Sequence, residues 1–286
     1  MPDPALFQID PTRRFMASRE NYDEGKIIIF SAPLDHTTSY RPGTRFAGPH
    51  VREASYGLEE FDFLGGKTIE DVSFFDWGEL LLPPGNTPAA LQSIYHAAAK
   101  VFADGKIPFT IGGEHLISSP LIIAASEKYP DLAVFHFDAH ADLREDYMGM
   151  RESHASVMRR VAEVIGPENI YQFGIRSGSK DEREFAKKTN LMSWPGDSLA
   201  KAIEETKGRP VYLTIDIDVV DPAFAPGTGT PEPGGCTSAD ILGAVNRFAA
   251  ANLIGFDLVE VSPPNDSSNI TSILAAKIIR QALLAV

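Results

Sequence analysis

The sequence predicts an α/β fold of three layers, with helices on both faces of a mainly parallel sheet. Short β-rich apolar runs alternate along the chain with longer segments of helical spacing, and such alternation implies parallel pairing through right-handed crossovers. The runs are apolar almost throughout, as strands covered on both faces are. Strands are expected at 26–31, 107–111, 132–137, 170–175, 211–217 and 253–259. Helices are expected at 88–103, 118–128, 154–165, 181–188, 238–250 and 269–284. The helix after Gly234-Gly235 has a defined start: Thr237 or Ser238 can accept from its first free N–H groups, and Asp240 places negative charge at its positive end. Glycines and prolines are scattered between these segments, and no repeat or polar linker interrupts them, so residues 1–286 read as one domain.

Composition narrows the class of function. With 43% hydrophobic and 23% charged residues the chain has ample apolar material for a core, which excludes a disordered, collagenous or transmembrane-bundle protein. A net charge of −13, from 39 acids against 26 Lys and Arg, argues against a nucleic-acid partner and favours cationic or metal ligands. The lone Cys236 excludes an intrachain disulfide framework and suits a reducing compartment. The opening residues carry no apolar segment of the kind a secretory signal needs, so a cytoplasmic protein with no membrane partner is expected.

The ends of the apolar runs carry the chemistry. The 132–137 strand runs into Asp138-Ala139-His140-Ala141-Asp142, and the 211–217 strand ends in Asp216-Ile217-Asp218. Residues two apart on an extended chain face one side, so Asp138, His140 and, if the extension persists, Asp142 project together, as do Asp216 and Asp218. The 107–111 strand ends in Gly112-Gly113-Glu114-His115, whose glycines permit a tight turn that brings His115 to the same edge. In open α/β sheets that edge is where ligands bind. Four converging carboxylates repel one another unless cations hold them. Two divalent ions meet that need; six ligands are few for two separate octahedra, so some carboxylates should bridge ions about 3.5 Å apart. Mostly oxygen donors, two imidazoles and no thiolate favour manganese over structural zinc.

Other polar residues read as ordinary structure. His136 is expected to be a hydrogen-bonded core histidine, while His36, His50 and His96 lack metal-like spacing. Gly65-Gly66-Lys67-Thr68 imitates the end of a phosphate loop, but the motif's first glycine would fall on Phe61. Cys236 has no base nearby in sequence.

Gly112-Gly113-Glu114-His115, Phe137 to Asp142, Thr214 to Asp218, Asp221-Pro222 and Pro226-Gly227-Thr228-Gly229-Thr230-Pro231 together resemble the signatures of the ureohydrolases, the family of arginase, agmatinase and formimidoylglutamase. The resemblance implies a central, mainly parallel eight-stranded sheet and two manganese ions per subunit. It places His115, Asp138, Asp142 and Asp216 around one ion, and His140, Asp138, Asp216 and Asp218 around the other. It also implies a homo-oligomer, trimer or hexamer. Ser39 to Phe46, Ser153 to Ser156 and Phe173 to Gly178 are similar to segments of the agmatinase branch, whereas Arg144 stands where arginases have an asparagine that helps hold the substrate α-carboxylate. Phe46-Ala47-Gly48-Pro49 departs from the family's usual placement of Gly-Pro.

The implied reaction is attack of a metal-bridging hydroxide on a guanidinium carbon, releasing urea and an amine. Glu260, at the end of the 253–259 strand, is placed like the family glutamate that grips the guanidinium through paired charge-assisted hydrogen bonds. His154 resembles the histidine that passes a proton to the leaving amine, for which an ordinary pKa near 6.5 is suited. The substrate implied is a small cationic guanidino compound, agmatine first and 4-guanidinobutyrate second, since Arg144 and Arg176 could meet a carboxylate. Loops at 35–46, 144–153 and 176–181 are expected around its distal end.

Overall fold

The structure, a computed structural model, describes residues 6–11, 13–194 and 196–286. Its strands are β1 (Ile9–Asp10), β2 (Ile27–Ala32), β3 (Phe61–Asp62), β4 (Lys67–Thr68), β5 (Phe74–Leu80), β6 (Ile107–Gly112), β7 (Ala133–Phe137), β8 (Ile170–Phe173), β9 (Asn190–Met192), β10 (Pro210–Asp216) and β11 (Asn252–Val259). Nine of them form one sheet in the order β1-β5-β2-β6-β11-β10-β7-β8-β9, while β3 and β4 make a separate hairpin. Every pair from β5 to β9 in that order is parallel. The eight parallel strands expected are therefore present, and β1 adds a two-residue antiparallel strand along the β5 edge.

Helices α1 (Ala47–Ser55), α2 (Thr87–Ala103), α3 (Ser118–Lys128), α4 (Val157–Ile165), α5 (Lys180–Phe185), α6 (Asp197–Glu205), α7 (Ser238–Asn246) and α8 (Ile270–Ala285) cover the two faces. Alternate strand residues supply the two cores. Ile27, Ile29, Phe135, Leu213 and Phe256 pack with residues of α1, α6, α7 and α8. Ile28, Phe30, Val134 and Tyr212 pack with α2, α3 and α4. This period of two on strands buried on both sides is why the runs read as continuously apolar.

The elements outside the sequence expectation include the short strands β1, β3, β4 and β9 together with β5, α1 and α6. In β5 the run Phe74-Phe75-Asp76-Trp77-Gly78-Glu79-Leu80 is broken by polar residues that the fold neutralises. Asp76 is fully buried against Arg52 of α1, with Nε to Oδ2 at 2.7 Å and Nη2 to Oδ1 at 2.8 Å. Gly78 has φ +112°, and a side chain there would strike the Asp10 carbonyl of β1, so glycine is what lets β1 lie alongside. Helix α1 carries Gly48-Pro49 in its first turn, which reads as a loop; a Cβ on Gly48 would lie 2.6 Å from Ser31 Oγ, so the glycine permits close seating on β2. Helix α6 has apolar residues at Leu199, Ala202 and Ile203, a spacing that was legible. The expected start of α7 is a capping box, with Asp240 N–H donating to Thr237 Oγ1 at 3.2 Å and Thr237 N–H to Asp240 Oδ2 at 2.9 Å. Among the described residues no helix is long and apolar enough to cross a membrane.

Candidate active site

Four neighbouring central strands deliver the polar residues to one edge. Glu114 and His115 follow β6, Glu260 follows β11, Asp216 and Asp218 close β10, and Asp138, His140 and Asp142 follow β7. They border a cavity of about 270 Å³ whose lining includes His115, His140, Asp142, His154, Asp216 and Glu260. The three loops expected at the substrate's distal end contribute Ser39, Arg144, Tyr147, Ser177 and Gly178 to it.

The convergence is the one expected, but the backbone achieves it differently. Extension does not persist past Asp138: Asp142 sits at φ +53°, and a 3-10 turn follows Asp216, whose Oδ1 accepts from Asp218 N–H at 2.8 Å. Turns, not strand parity, bring these carboxylates together.

His115 Nδ1 lies 3.0 Å from Asp138 Oδ2, 3.3 Å from Asp142 Oδ2 and 3.3 Å from Asp216 Oδ2. It makes a well-directed hydrogen bond to none of them. On the other side of the ring, Nε2 is 3.0 Å from Thr214 Oγ1, whose own proton goes to Asp257 Oδ1 at 2.6 Å. Thr214 must therefore accept, so Nε2 carries a proton and Nδ1 faces three carboxylate oxygens. Asp257 is fixed in turn by the Tyr212 hydroxyl at 2.8 Å and by Ser118 Oγ at 3.0 Å. In the neutral ring, an Nδ1 lone pair and three carboxylate oxygens converge within hydrogen-bond distance, the donor arrangement a divalent cation fills in place of a proton. A second group forms beside it: His140 Nδ1 is 3.0 Å from Asp218 Oδ2 and 3.6 Å from Asp138 Oδ1. Asp138 thus turns one oxygen to each group.

His136 is fully buried and hydrogen-bonded. Its donors also lie near those of His115, Asp138 and Asp142, but Gln172 Nε2 donates to Nδ1 at 3.0 Å, so Nε2 holds the proton it gives Asp138 Oδ2 at 2.8 Å. His136 orients Asp138 and has no lone pair to offer a cation.

The electrostatics show a crevice short of positive charge. Burial, then the neighbouring Asp138, pushes Asp142 up to about 7. Asp216 is held well above the ordinary range by burial and by Asp218 and Asp138. Burial and Asp138 raise Asp218, and burial with Glu114 raises Glu260. Asp138 goes the other way: burial alone would raise it, but contacts with His115, His136 and His140 hold it well below. Burial opposes charge on His115 and His140 too, yet the adjoining carboxylates outweigh it, carrying His140 up to about 12.

Glu260 also stands at positive φ, +63°. Its N–H donates to Gly113 O at 2.9 Å and its Oε1 accepts from His115 N–H at 2.8 Å, leaving Oε2 for a donor from the cavity. His154, in the turn before α4, donates its N–H to Thr37 Oγ1 at 3.0 Å, and its ring meets the edge of Tyr147. Burial, then His140 and His115, pushes its pKa down to about 4, so the imidazole is neutral near pH 7 and not poised at the ordinary value.

Two arginines that could have met a substrate carboxylate are already engaged. Arg176 spends its guanidinium on the carbonyls of Gly174, Asp218, Val219, Glu232 and Pro233, tying the Asp218 turn to the loop before Cys236. Arg144 lies 3.5 Å from Glu182 and over the Tyr147 ring. Cys236 is buried with its thiol pushed up to about 12, mainly by burial, which disfavours the thiolate a nucleophile needs. Sequence reasoning assigned no role to Glu114, Thr37, Thr214 or Asp257. Glu114, next to His115, and Thr214, just before Asp216, lay inside quoted signatures; Thr37 and Asp257 carry no local signal.

Comparison with known proteins gives the family and the reaction class. The chain is 47% identical over 275 residues to an agmatinase of Bacillus subtilis, covering 94% of this chain and 95% of that protein. It is 32% identical over 265 residues to a guanidinobutyrase of Pseudomonas aeruginosa, covering 88% and 83%. The solved agmatine ureohydrolase of Thermoplasma volcanium superposes with a TM-score of 0.87 at 32% identity, covering 97% and 95%. With the fold and the crevice, these relatives define the class: a ureohydrolase, acting on guanidino C–N bonds. The Arginase family model matches residues 25–285, and the chain belongs to that family.

Proposed function

We propose that the protein is an agmatinase, hydrolysing agmatine to putrescine and urea with two manganese ions held by His115, Asp138, Asp142, Asp216, His140 and Asp218. The observation that carries the substrate is at the rim. Arg144 is the one Lys or Arg among the described residues lining the cavity, and it already faces Glu182. A substrate carboxylate finds no free cation there, whereas a distal ammonium meets no penalty. The 47% identity to an agmatinase supports the same reading.

When bound, the ion pair supplies a water acidic enough to act as nucleophile at neutral pH. The chain's residues do the rest. Glu260 Oε2 accepts from the guanidinium, and the cation relieves the charge deficit that keeps this carboxyl above its ordinary range. His154, neutral at rest, takes a proton as water attacks and returns it to the leaving amine, so the departing group receives a proton released in the same turnover. We read the whole chain as one cytoplasmic domain that assembles as a trimer or hexamer.

Purified protein loaded with manganese should release urea from agmatine at least about tenfold faster, in kcat/KM, than from 4-guanidinobutyrate or arginine. A preference for guanidinobutyrate would make the protein a guanidino-acid hydrolase, and silence on all three would refute the reading. Glu260→Gln should lower kcat/KM on agmatine by roughly a hundredfold, the order expected when one partner of a buried charge-assisted pair is removed; steady-state kinetics with metal content measured in parallel check it. Arg176→Met should leave Glu260 in place yet weaken manganese binding by roughly 10–100-fold, because the Asp218 turn loses its tether; metal titration reads this directly.

A further inference from the structure

We propose that Thr37 is a positioning residue for His154, and that Glu114 holds Thr37 in place. The inference rests on His154 as the proton carrier of the proposed reaction. Thr37 is buried in a loop whose neighbours His36 and Ser39 are exposed. What pulls it inward is the fully buried carboxylate of Glu114, whose Oε2 accepts from Thr37 N–H at 2.8 Å, His36 N–H at 3.1 Å and the Thr38 hydroxyl at 3.3 Å. Three consecutive residues close around one oxygen.

Seated there, the Thr37 hydroxyl meets His154 twice. It accepts from the His154 backbone N–H at 3.0 Å and lies 3.3 Å from Nδ1 of the ring. A hydroxyl has one proton. With one lone pair spent on the backbone N–H, the hydroxyl keeps a single partner role toward Nδ1, so the contact holds the neutral ring in one tautomer. Nε2 is the nitrogen beside Ser39 Oγ, at 3.5 Å, and both residues line the cavity. The chain from Glu114 through Thr37 therefore sets the place of the imidazole and holds it in one tautomer, with Nε2 turned to the substrate side. Nothing in the loop's own composition requires a buried threonine here; its position follows from the carboxylate beneath it.

Thr37→Val keeps the shape and removes both contacts. It should lower kcat on agmatine by about tenfold or more with KM within about twofold and bound manganese unchanged, and Thr37→Ser should recover activity to within about threefold of the native protein. Glu114→Met should act like Thr37→Val, Glu114→Gln should recover most of the loss, and the Thr37→Val/Glu114→Met double variant should fall no further than the worse single one. A Thr37→Val kcat within twofold of native, or a Thr37→Ser protein as impaired as Thr37→Val, overturns the proposal, and these two suffice should Glu114→Met not fold. Histidine ring nitrogen spectra of 15N-labelled protein loaded with diamagnetic zinc separate this inference from the reaction itself. The native His154 should show a single tautomer and Thr37→Val a mixture; the same tautomer state in both proteins overturns the proposal, even if native protein releases no urea from agmatine and the reaction assignment falls.

Discussion

Asp138→Ala protein is expected to lose metal and activity together. Asp138 is the carboxylate that faces both donor groups, with Oδ2 3.0 Å from His115 Nδ1 and Oδ1 3.6 Å from His140 Nδ1. It is also held from behind, by His136 Nε2–H on Oδ2 at 2.8 Å and by His140 N–H on Oδ1 at 2.6 Å. That scaffolding fixes a negative charge between two positions that each need one, and the cluster of raised carboxylates around it keeps its lowest pKa at this residue. Removing it leaves each group with a missing oxygen and no shared ligand. Urea release should fall by about a thousandfold or more, and metal analysis after dialysis should show fewer than two ions per chain. Two ions retained in Asp138→Ala would refute the bridging role, while intact far-ultraviolet dichroism would show that loss of fold is not the cause.

The largest effect on stability is expected at Arg52, far from the chemistry. Arg52 and Asp76 are both fully buried, and each is saturated: Arg52 also donates to Ser31 Oγ at 2.7 Å and Gly78 O at 2.8 Å, while Asp76 accepts from Phe15 N–H at 2.7 Å. Arg52→Met fills much of the same volume but strands Asp76 as an uncompensated charge beneath α1. A loss of about 3–5 kcal/mol is expected, readable as a shift in urea midpoint at unchanged slope. Arg52→Met/Asp76→Leu should recover most of that loss, since the cost arises from the orphaned charge. A single variant within about 1 kcal/mol of native would show that water or a rearranged partner already serves Asp76.

The two predictions mark where the sequence could and could not be read. Strands that carry an uninterrupted apolar run, such as β7 and β10, announce themselves together with the acids that follow, and six of the eight metal and catalytic candidates lie on or just after those two strands or β6. β5 was illegible because its Asp76 is tolerable only once Arg52, 24 residues earlier, is folded against it. Long-range compensation of this kind has no local signature. The same applies around the site. His115, Asp138 and Asp216 stand out by residue type and position, whereas Thr214 and Asp257, which fix the His115 tautomer, look like ordinary strand residues until β10 and β11 are paired. Arg176 shows the reverse error: a cation placed near the site by sequence was available to a ligand only until its five carbonyl partners were seen.

The left-handed backbone at Asp142 and Glu260 sets conformational comfort against use. Non-glycine residues held there cost on the order of 1 kcal/mol each, and Glu is less at ease in that region than Asp. Glycine would relax the chain at both positions, and a procedure that selected only for resistance to heat would favour it. What it would remove are two carboxylates whose directions depend on those backbone angles. A thermostable variant of this protein should therefore be sought away from these two positions, where gains in melting temperature would be exchanged for turnover.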